Sequence, residues 1–301
     1  MDLVAKHEVP HFFDLATTDL ITEKYRSDPE KFGYWVGKFW AGPSVAAGNF
    51  YVYALEQEIE DGAWTPANGK RACICGEDND WGRAFGAAIG TALKEAGWEI
   101  VEEDYVTMGE TDFMPMLTKW QAANPDVIVM TDSPVSLSAW VKQTQEIGFG
   151  ENVVRIADAL PYIGEWYEMT GKASDYALAM ETVWASAQQQ AFVEKYEEMW
   201  GFKPSPQSGG YAYDYAKALI KVCQRTAEKY GELNSETLYK VAQEEVATGE
   251  LTFSGVVVNE YKFTEETMPE PVVGEDYWFV PVLQYFDGEG TVIWPPKMAE
   301  A

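Results

Sequence analysis

The chain has 301 residues, which is enough for two lobes of ordinary domain size, each with its own buried core. Acidic residues outnumber basic residues by 49 to 22, so the formal net charge is -27. This charge argues against a nucleic-acid partner, because phosphate backbones are bound mainly by Lys and Arg. No uninterrupted apolar run approaches the roughly 20 residues that a membrane-spanning helix needs.

The chain has three cysteines and two histidines, and their spacing does not match that of a metal site. Cys73 and Cys75 alternate on a predicted strand, so their side chains point to opposite faces, and Cys223 is remote in sequence. We expect buried free thiols. The only histidines are His7 and His11. We therefore predict no zinc site, no histidine-based triad and no cofactor.

The amino end reads as part of an α/β unit. Asp2–His7 is typical of the end of a helix, and Val9–Phe13 is typical of a strand that runs into a polar turn. No secretory signal follows Met1. The protein is therefore either cytosolic or lacks the amino end of a longer chain. Further on, Gly42-Pro43-Ser44 is predicted to open a helix that continues through Ile59.

The clearest pattern is a strand, helix and strand in Lys70–Val106. The short apolar run Ala72–Cys75 leads into an acidic loop, and apolar residues then recur at helical spacing until Gly97. Ligands of open α/β sheets bind at the carboxyl ends of the strands. Trp81 and the polar residues 78–80 before it are therefore the first candidates for contact with a ligand.

The same rhythm continues along the chain. Strands are predicted at Asp126–Thr131, Val153–Ala157 and Tyr176–Thr182. A helix capped by Asp112 precedes the first of these strands, and a helix capped at Ser133-Pro134 follows it. Strands that alternate with helices in this way predict an α/β fold with a mostly parallel sheet, covered on both faces.

Longer helices and then strands follow Ala187. The predicted helices are Gln188–Trp200, Gln207–Tyr230 and Ser235–Thr248. The predicted strands are Gly255–Val258, Tyr277–Phe286 and Thr291–Trp294, with Asp287–Gly290 as a hairpin turn.

Sequence motifs of common α/β enzymes are missing. Gly76, Gly82 and Gly86 do not fit the dinucleotide-binding pattern, and Thr170-Gly171-Lys172 lacks the preceding glycine of a phosphate-binding loop. The Gly-x-Ser-x-Gly elbow of hydrolases is also absent. We do not expect the chain to be an enzyme.

Several local patterns occur in the order found in a known family. They are Val9-Pro10, Ala16–Thr18, Asp80–Gly82, Gly109–Phe113, Asn124–Ile128, Gln145–Phe149, Phe192–Tyr196, Trp200–Pro204, Tyr211–Asp214 and Gly288–Pro295. In this order the chain resembles the leucine/isoleucine/valine-binding protein family, the type I periplasmic solute-binding proteins of ABC transporters. The resemblance covers essentially the whole chain. The signal peptide and the first strand and helix units of the family pattern are not found, so lobe one is expected to be incomplete.

The resemblance implies two α/β lobes that close like a hinge over a ligand in the cleft, as in a Venus flytrap. Lobe one would comprise residues 1–41 and 185–275, lobe two residues 42–184, and a crossing segment with carboxyl-terminal strands residues 276–301. The implied function is capture of an amino acid, an amide or an aromatic carboxylate, and its delivery to an ABC permease. The implied location is periplasmic or extracellular. The alternative is the ligand-sensing domain of a receptor or regulator with the same fold.

The resemblance also implies ligand contacts in lobe one and at the start of lobe two. It places the backbone of Leu15 and the hydroxyl and amide of Thr17 at a ligand carboxylate. Thr17 has the alternative role of a helix cap. Trp81 falls where relatives often carry a tyrosine, and it would form an aromatic wall for the ligand or pack on its own helix.

Further contacts are implied by strand ends and tyrosines. Ser133 matches a polar contact of lobe two, and Asp158 matches the acidic residue that faces the ligand's ammonium group. The alternative for Asp158 is a helix cap or an exposed loop acid. Tyr162 and Tyr211 either line the cleft or pack in the core.

Overall fold

A computed structural model describes residues 1–149, 152–163, 165–184, 186–205 and 208–299. The chain forms two compact units. Unit 1 comprises Met1–Gly42 and Thr182–Phe279, and unit 2 comprises Pro43–Glu181 and Val280–Ala301. Within the described ranges, no helix has the length and apolar character needed to cross a membrane.

The helices and strands are numbered in chain order. The helices are α1 (Asp2–His7), α2 (Leu20–Ser27), α3 (Pro29–Phe32), α4 (Ala47–Glu60), α5 (Asp80–Glu95), α6 (Met114–Ala123), α7 (Pro134–Glu146), α8 (Trp166–Thr170), α9 (Ala187–Trp200), α10 (Ser208–Tyr230), α11 (Ser235–Val241) and α12 (Pro296–Ala299). The strands are β1 (His11–Phe13), β2 (Trp35–Lys38), β3 (Arg71–Glu77), β4 (Glu99–Val106), β5 (Val127–Thr131), β6 (Val154–Asp158), β7 (Ala177–Met180), β8 (Phe253–Ser254), β9 (Glu260–Tyr261), β10 (Val282–Phe286) and β11 (Glu289–Trp294).

Unit 2 contains a seven-stranded sheet in the order β11-β10-β7-β6-β5-β3-β4. Strands β3 to β7 pair in parallel, and β10 pairs antiparallel with both β7 and β11. All five residues of β5 are buried, as expected for a strand covered on both faces. The structure confirms the predicted mostly parallel sheet. Residues 276–301, predicted as a crossing segment and terminal strands, contain β10 and β11.

The predicted strand, helix and strand in residues 70–106 are confirmed as β3, α5 and β4. The Asn79 side chain caps α5 by accepting a hydrogen bond from the amide of Gly82 at 2.8 Å. Phe85 and Ile89 are buried at helical spacing on the inner face. A β-carbon on Gly82 would collide with the backbone of Glu77, so this glycine allows α5 to begin directly against the end of β3.

Unit 1 holds the parallel pair of β1 and β2 and the antiparallel pair of β8 and β9. Its core is aromatic. The Trp40 ring packs edge-on against the rings of Tyr211 and Trp278, with centroid distances of 4.9 and 5.3 Å. The indole nitrogen of Trp278 donates to the Phe39 carbonyl at 3.0 Å, so this buried polar group is satisfied.

The predicted strand Gly255–Val258 is wrong, because these residues form a turn between β8 and β9. The carboxylate of Asp214 on α10 accepts hydrogen bonds from the amides of Val256 and Val257 at 2.6 and 3.0 Å. These apolar residues therefore form a turn. Their amides donate to a side chain instead of to a neighbouring strand.

Other predicted boundaries shift. Strand β10 begins at Val282 instead of Tyr277. The residue before α6 is Phe113, so Asp112 is not its cap residue, although Asp112 accepts from the Met114 amide at 3.2 Å. The start predicted for α10, Gln207, lies outside the described residues.

The hairpin turn predicted at Asp287–Gly290 is confirmed, but it is shorter, because β11 begins at Glu289 instead of Thr291. Asp287 and Gly288 both have positive φ angles, of 49° and 83°, as a two-residue turn of type I′ requires.

Candidate functional site

Four acidic side chains lie at the carboxyl ends of four neighbouring strands in unit 2. Glu77 ends β3, Asp132 follows β5, Asp158 ends β6 and Glu181 follows β7. Because these strands are parallel, their ends meet at one edge of the sheet. The four residues are only 3, 0, 0 and 7% exposed, respectively. We call them the acid row.

Glu77 and Asp132 form a pair of carboxyl groups. One oxygen of Glu77 accepts from the amide side chain of Asn79 at 2.7 Å, and one oxygen of Asp132 accepts from the backbone of Ser133 at 2.6 Å. The other oxygens, Oε1 of Glu77 and Oδ2 of Asp132, have no donor among the described residues. Burial, together with the nearby Glu77 carboxyl, raises the pKa of Asp132 to about 7.

Asp158 is paired with a buried tyrosine. The Tyr51 hydroxyl on α4 donates to Oδ1 of Asp158 at 2.5 Å and accepts from the Met180 amide at 2.9 Å. Burial raises the pKa of Asp158 to about 7, although the hydrogen bond from Tyr51 opposes this shift. Oδ2 of Asp158 has no donor in the described part of the chain.

Glu181 repeats this arrangement on the next strand. The hydroxyl of Tyr285 on β10 donates to Oε2 of Glu181 at 2.7 Å, and Oε1 has no donor among the residues described. Burial raises the pKa of Glu181 to about 8. The half-buried Tyr162 lies close enough to Tyr51 and Tyr285 to contribute to the raised pKa of both phenols, after burial and the neighbouring carboxylates.

The other predicted residues of unit 2 lie at the same edge. Trp81 is in the first turn of α5, is partly exposed and contacts Phe85 edge-on with a centroid distance of 5.9 Å. Ser133 precedes α7, and its hydroxyl lies 3.3 Å from Oδ1 of Asp132. The structure therefore brings Trp81, Ser133, Asp158 and Tyr162 to one edge. Asp158 is neither a helix cap nor an exposed loop acid.

The predicted residues of unit 1 are placed separately. Leu15 and Thr17 lie half-buried in the turn after β1. Thr17 does not cap α2, because the side chain that accepts from the amide of Leu20 is Thr18, at 3.3 Å. Tyr211 is fully buried against Trp40 in the core of unit 1.

A buried ion pair in unit 1 anchors the turn that carries Leu15 and Thr17. The ammonium group of Lys38 donates to Oε1 of Glu270 at 2.6 Å and to the carbonyl of Thr18 at 3.1 Å. Glu270 also accepts from the amide of Gly42 at 2.7 Å and from the hydroxyl of Thr22. This carboxylate is therefore fully supplied with donors.

Sequence reasoning missed Glu77, Glu181, Tyr51 and Tyr285. The acids had a signal, because an acidic residue lies within two residues of the end of each of four predicted strands. The tyrosines had none, since their partners come from distant elements. In the described part of the chain, no group of three or more His, Cys, Asp or Glu side chains is arranged to hold a metal ion. What the edge offers is a set of buried oxygen acceptors.

Comparisons with known proteins agree on one architecture. A family model described as periplasmic binding protein matches residues 1–263, whereas no curated protein matches the chain. A structure described as a putative branched-chain amino acid ABC transporter from Silicibacter pomeroyi is 18% identical with a TM-score of 0.81, covering 100% of this chain and 76% of that chain. A leucine-binding protein from Thermotoga maritima is 17% identical with a TM-score of 0.73, and the match covers 96% of this chain and 73% of that chain.

A third similar structure is described as an ABC transporter solute-binding protein from R. palustris in complex with benzoate. It is 14% identical with a TM-score of 0.71, and the match covers 96% of this chain and 71% of that chain. At such identities the likeness concerns the fold, and it confirms the predicted fold class.

Proposed function

The chain belongs to the periplasmic binding protein family, and from this premise we propose that it captures a small solute for an ABC transporter. The observation that carries the proposal is the acid row. Its unsatisfied, buried oxygens lie at the sheet edge where α/β proteins bind ligands. Such oxygens are costly in a folded protein unless a ligand or a proton satisfies them. Because the family consists of binding proteins, we assign solute binding to these acidic groups.

In this proposal the ligand's polar groups meet different parts of the chain. Asp158 accepts from an ammonium group, and Ser133 and Tyr162 contribute hydroxyl groups at the same edge. Trp81 provides an apolar face. Leu15 and Thr17 hold a carboxylate through a backbone amide and a hydroxyl, and Lys38 keeps their turn in place. Tyr211 supports this unit from its core.

The solute class follows from the relatives. Similar structures are described as a putative branched-chain amino acid ABC transporter, a leucine-binding protein and a solute-binding protein in complex with benzoate. We therefore propose an amino acid or an aromatic carboxylate as the solute, an ABC permease as the partner, and a periplasmic or extracellular location. The family consists of binding proteins, and the proposed role needs no catalysis.

Calorimetric titration and thermal unfolding with leucine, norleucine, lysine and benzoate test this function. We expect at least one solute to bind with a stoichiometry of one and to raise the melting temperature, because a ligand at 100 times its Kd stabilises the folded state by about 2.7 kcal/mol. If no solute in this panel or in a wider panel of amino acids and amides produces heat or a thermal shift, the proposal is wrong.

Asp158→Asn tests the role given to this side chain. It keeps the shape of Asp158 and an oxygen that accepts from Tyr51, but it removes the negative charge. We expect leucine to lose at least tenfold in affinity and benzoate to lose twofold or less. The exposed Glu95→Gln is the charge-matched control and should change neither affinity. Equal losses for both solutes would refute the assigned role.

A further inference from the structure

The acid row contains more carboxyl groups than a single ammonium group needs. An α-amino acid brings one ammonium group, for which Asp158 is sufficient in the proposed function. Glu77 and Asp132 lie on the two strands beyond it, in the order β6, β5, β3. Neighbouring strands are about 4.8 Å apart, so the row extends across the sheet edge for roughly 10 Å from Asp158 to Glu77.

The structure describes no cationic side chain that compensates the charge of the acid row. Among the described residues, no Lys or Arg forms an ion pair with any member of the acid row. By contrast, the buried Glu270 of unit 1 has Lys38 at 2.6 Å. The cation that completes the acid row must therefore come from outside the chain, or protons must take its place.

The carboxyl pair has a built acceptor geometry. The Asn79 side chain donates to one oxygen of Glu77, and the Ser133 amide donates to one oxygen of Asp132. Each carboxyl group is therefore held in place through one of its two oxygens. Their remaining oxygens, Oε1 of Glu77 and Oδ2 of Asp132, belong to side chains that are at least nine-tenths buried and have no donor among the described residues. An ammonium group has three donors and suits two such oxygens at once.

We propose that the Glu77–Asp132 pair is a second cation subsite, so that the protein prefers small solutes with two ammonium groups, such as short diamines or basic amino acids. This inference rests on the proposed function and narrows its solute class. One ammonium group lies at Asp158 and the second lies at the pair. The second ammonium group keeps its own protons and donates hydrogen bonds to Oε1 of Glu77 and Oδ2 of Asp132.

Two matched pairs of probes test the proposal on the whole protein. 1,4-Diaminobutane and n-butylamine differ by one ammonium group, and lysine and norleucine differ in the same way. Calorimetry should show at least tenfold tighter binding of the dication in at least one of the two pairs. The first pair reports on a diamine and the second on a basic amino acid.

Conservative variants test whether the second ammonium group binds at the Glu77–Asp132 pair. Glu77→Gln and Asp132→Asn keep the volume of each side chain but remove an anionic acceptor. We expect each variant to lower the affinity for the dication at least tenfold, to lower the affinity for the monoamine twofold or less, and to unfold cooperatively. The exposed Glu95→Gln should leave both affinities unchanged.

The outcomes separate this proposal from the proposed function. If leucine or benzoate binds but neither dication binds more tightly than its matched partner, the cation subsite is refuted while solute capture stands. If a dication binds more tightly than its matched monoamine but neither Glu77→Gln nor Asp132→Asn lowers its affinity, the cation subsite is also refuted. If none of the solutes binds, both proposals fail.

Discussion

Two buried carboxylates of unit 1, Glu270 and Asp214, differ from the acid row of unit 2 in their supply of hydrogen-bond donors. In unit 1, Glu270 has donors from Lys38, Gly42 and Thr22, and Asp214 holds the amides of a turn. In unit 2, each member of the acid row has one oxygen with a donor and one without any among the described residues.

This difference separates structural acids from acids that are available for binding. A buried charge with all its donors has no capacity left for a ligand, and removal of one of its partners destabilises the fold. A buried acid that has an oxygen without a donor is available to bind a cation, and burial raises the pKa of three such acids, Asp132, Asp158 and Glu181. The predictions below test the comparison from each side.

The largest expected effect is in unit 1. Lys38→Met leaves Glu270 buried without its cation, and the free energy of unfolding should fall by about 3–5 kcal/mol in urea titrations followed by circular dichroism. The control is Lys240→Met, which removes an exposed pair with Glu236 and should leave the free energy of unfolding nearly unchanged, because solvent screens exposed ion pairs. Similar losses for both variants would contradict the structural role of the buried pair.

The acid row should make stability depend on pH. Burial raises the pKa of Asp158 to about 7 and that of Glu181 to about 8, whereas unfolded carboxyl groups titrate near pH 4. Between pH 5 and 8 the folded state therefore holds more protons than the unfolded state, and its stability falls as the pH rises.

Asp158→Asn isolates one contribution to this slope. Because the amide does not titrate, the decrease in unfolding free energy between pH 5 and 8 should be smaller by about 2 kcal/mol. Thermal and urea unfolding across this range measure the slope, with the exposed Glu95→Gln as the control. If the Asn variant has the same slope as the wild type, the proposed neutral state of Asp158 is wrong.

Asp214 should have an intermediate effect. Asp214→Asn weakens the hydrogen bonds to the amides of Val256 and Val257, and we expect a loss of about 1.5 kcal/mol. Hydrogen exchange at these two amides should accelerate. The exposed Asp276→Asn should change stability by about 0.5 kcal/mol or less. Unchanged exchange at the turn would show that Asp214 does not hold it.

The smallest effect is expected on α9, which has no buried residue. Trp200 is 61% exposed, so Trp200→Ser should cost about 0.5 kcal/mol or less. Trp40→Ala in the core of unit 1 should cost about 3–5 kcal/mol in the same urea experiment. A large loss for Trp200→Ser would mean that the Trp200 side chain is covered in solution.

The sequence predicted most of unit 2 because its signals are local. The apolar run of β5 and the helical spacing of Phe85 and Ile89 are visible without any tertiary contact. The turn after β8 was predicted as a strand, since nothing near Val256 reveals that Asp214 on α10 binds its amides.

Part of the candidate site could not be predicted, for a related reason. Asp158 was recognised from the resemblance, but its hydrogen-bond partner Tyr51 lies 107 residues away in the sequence. The pairing of Glu77 with Asp132 depends on strand order, because β5 lies beside β3 although β4 comes between them in sequence. Strand order is a tertiary property, and single-strand patterns do not contain it.

Amide hydrogen exchange with and without a saturating solute from the binding panel tests the central claim most directly. If the carboxyl edge of the unit 2 sheet binds the solute, exchange should slow at residues 77–82 and 131–136 and stay unchanged at residues 69–72, at the opposite edge. Protection confined to other parts of the chain, such as α9, would contradict the account.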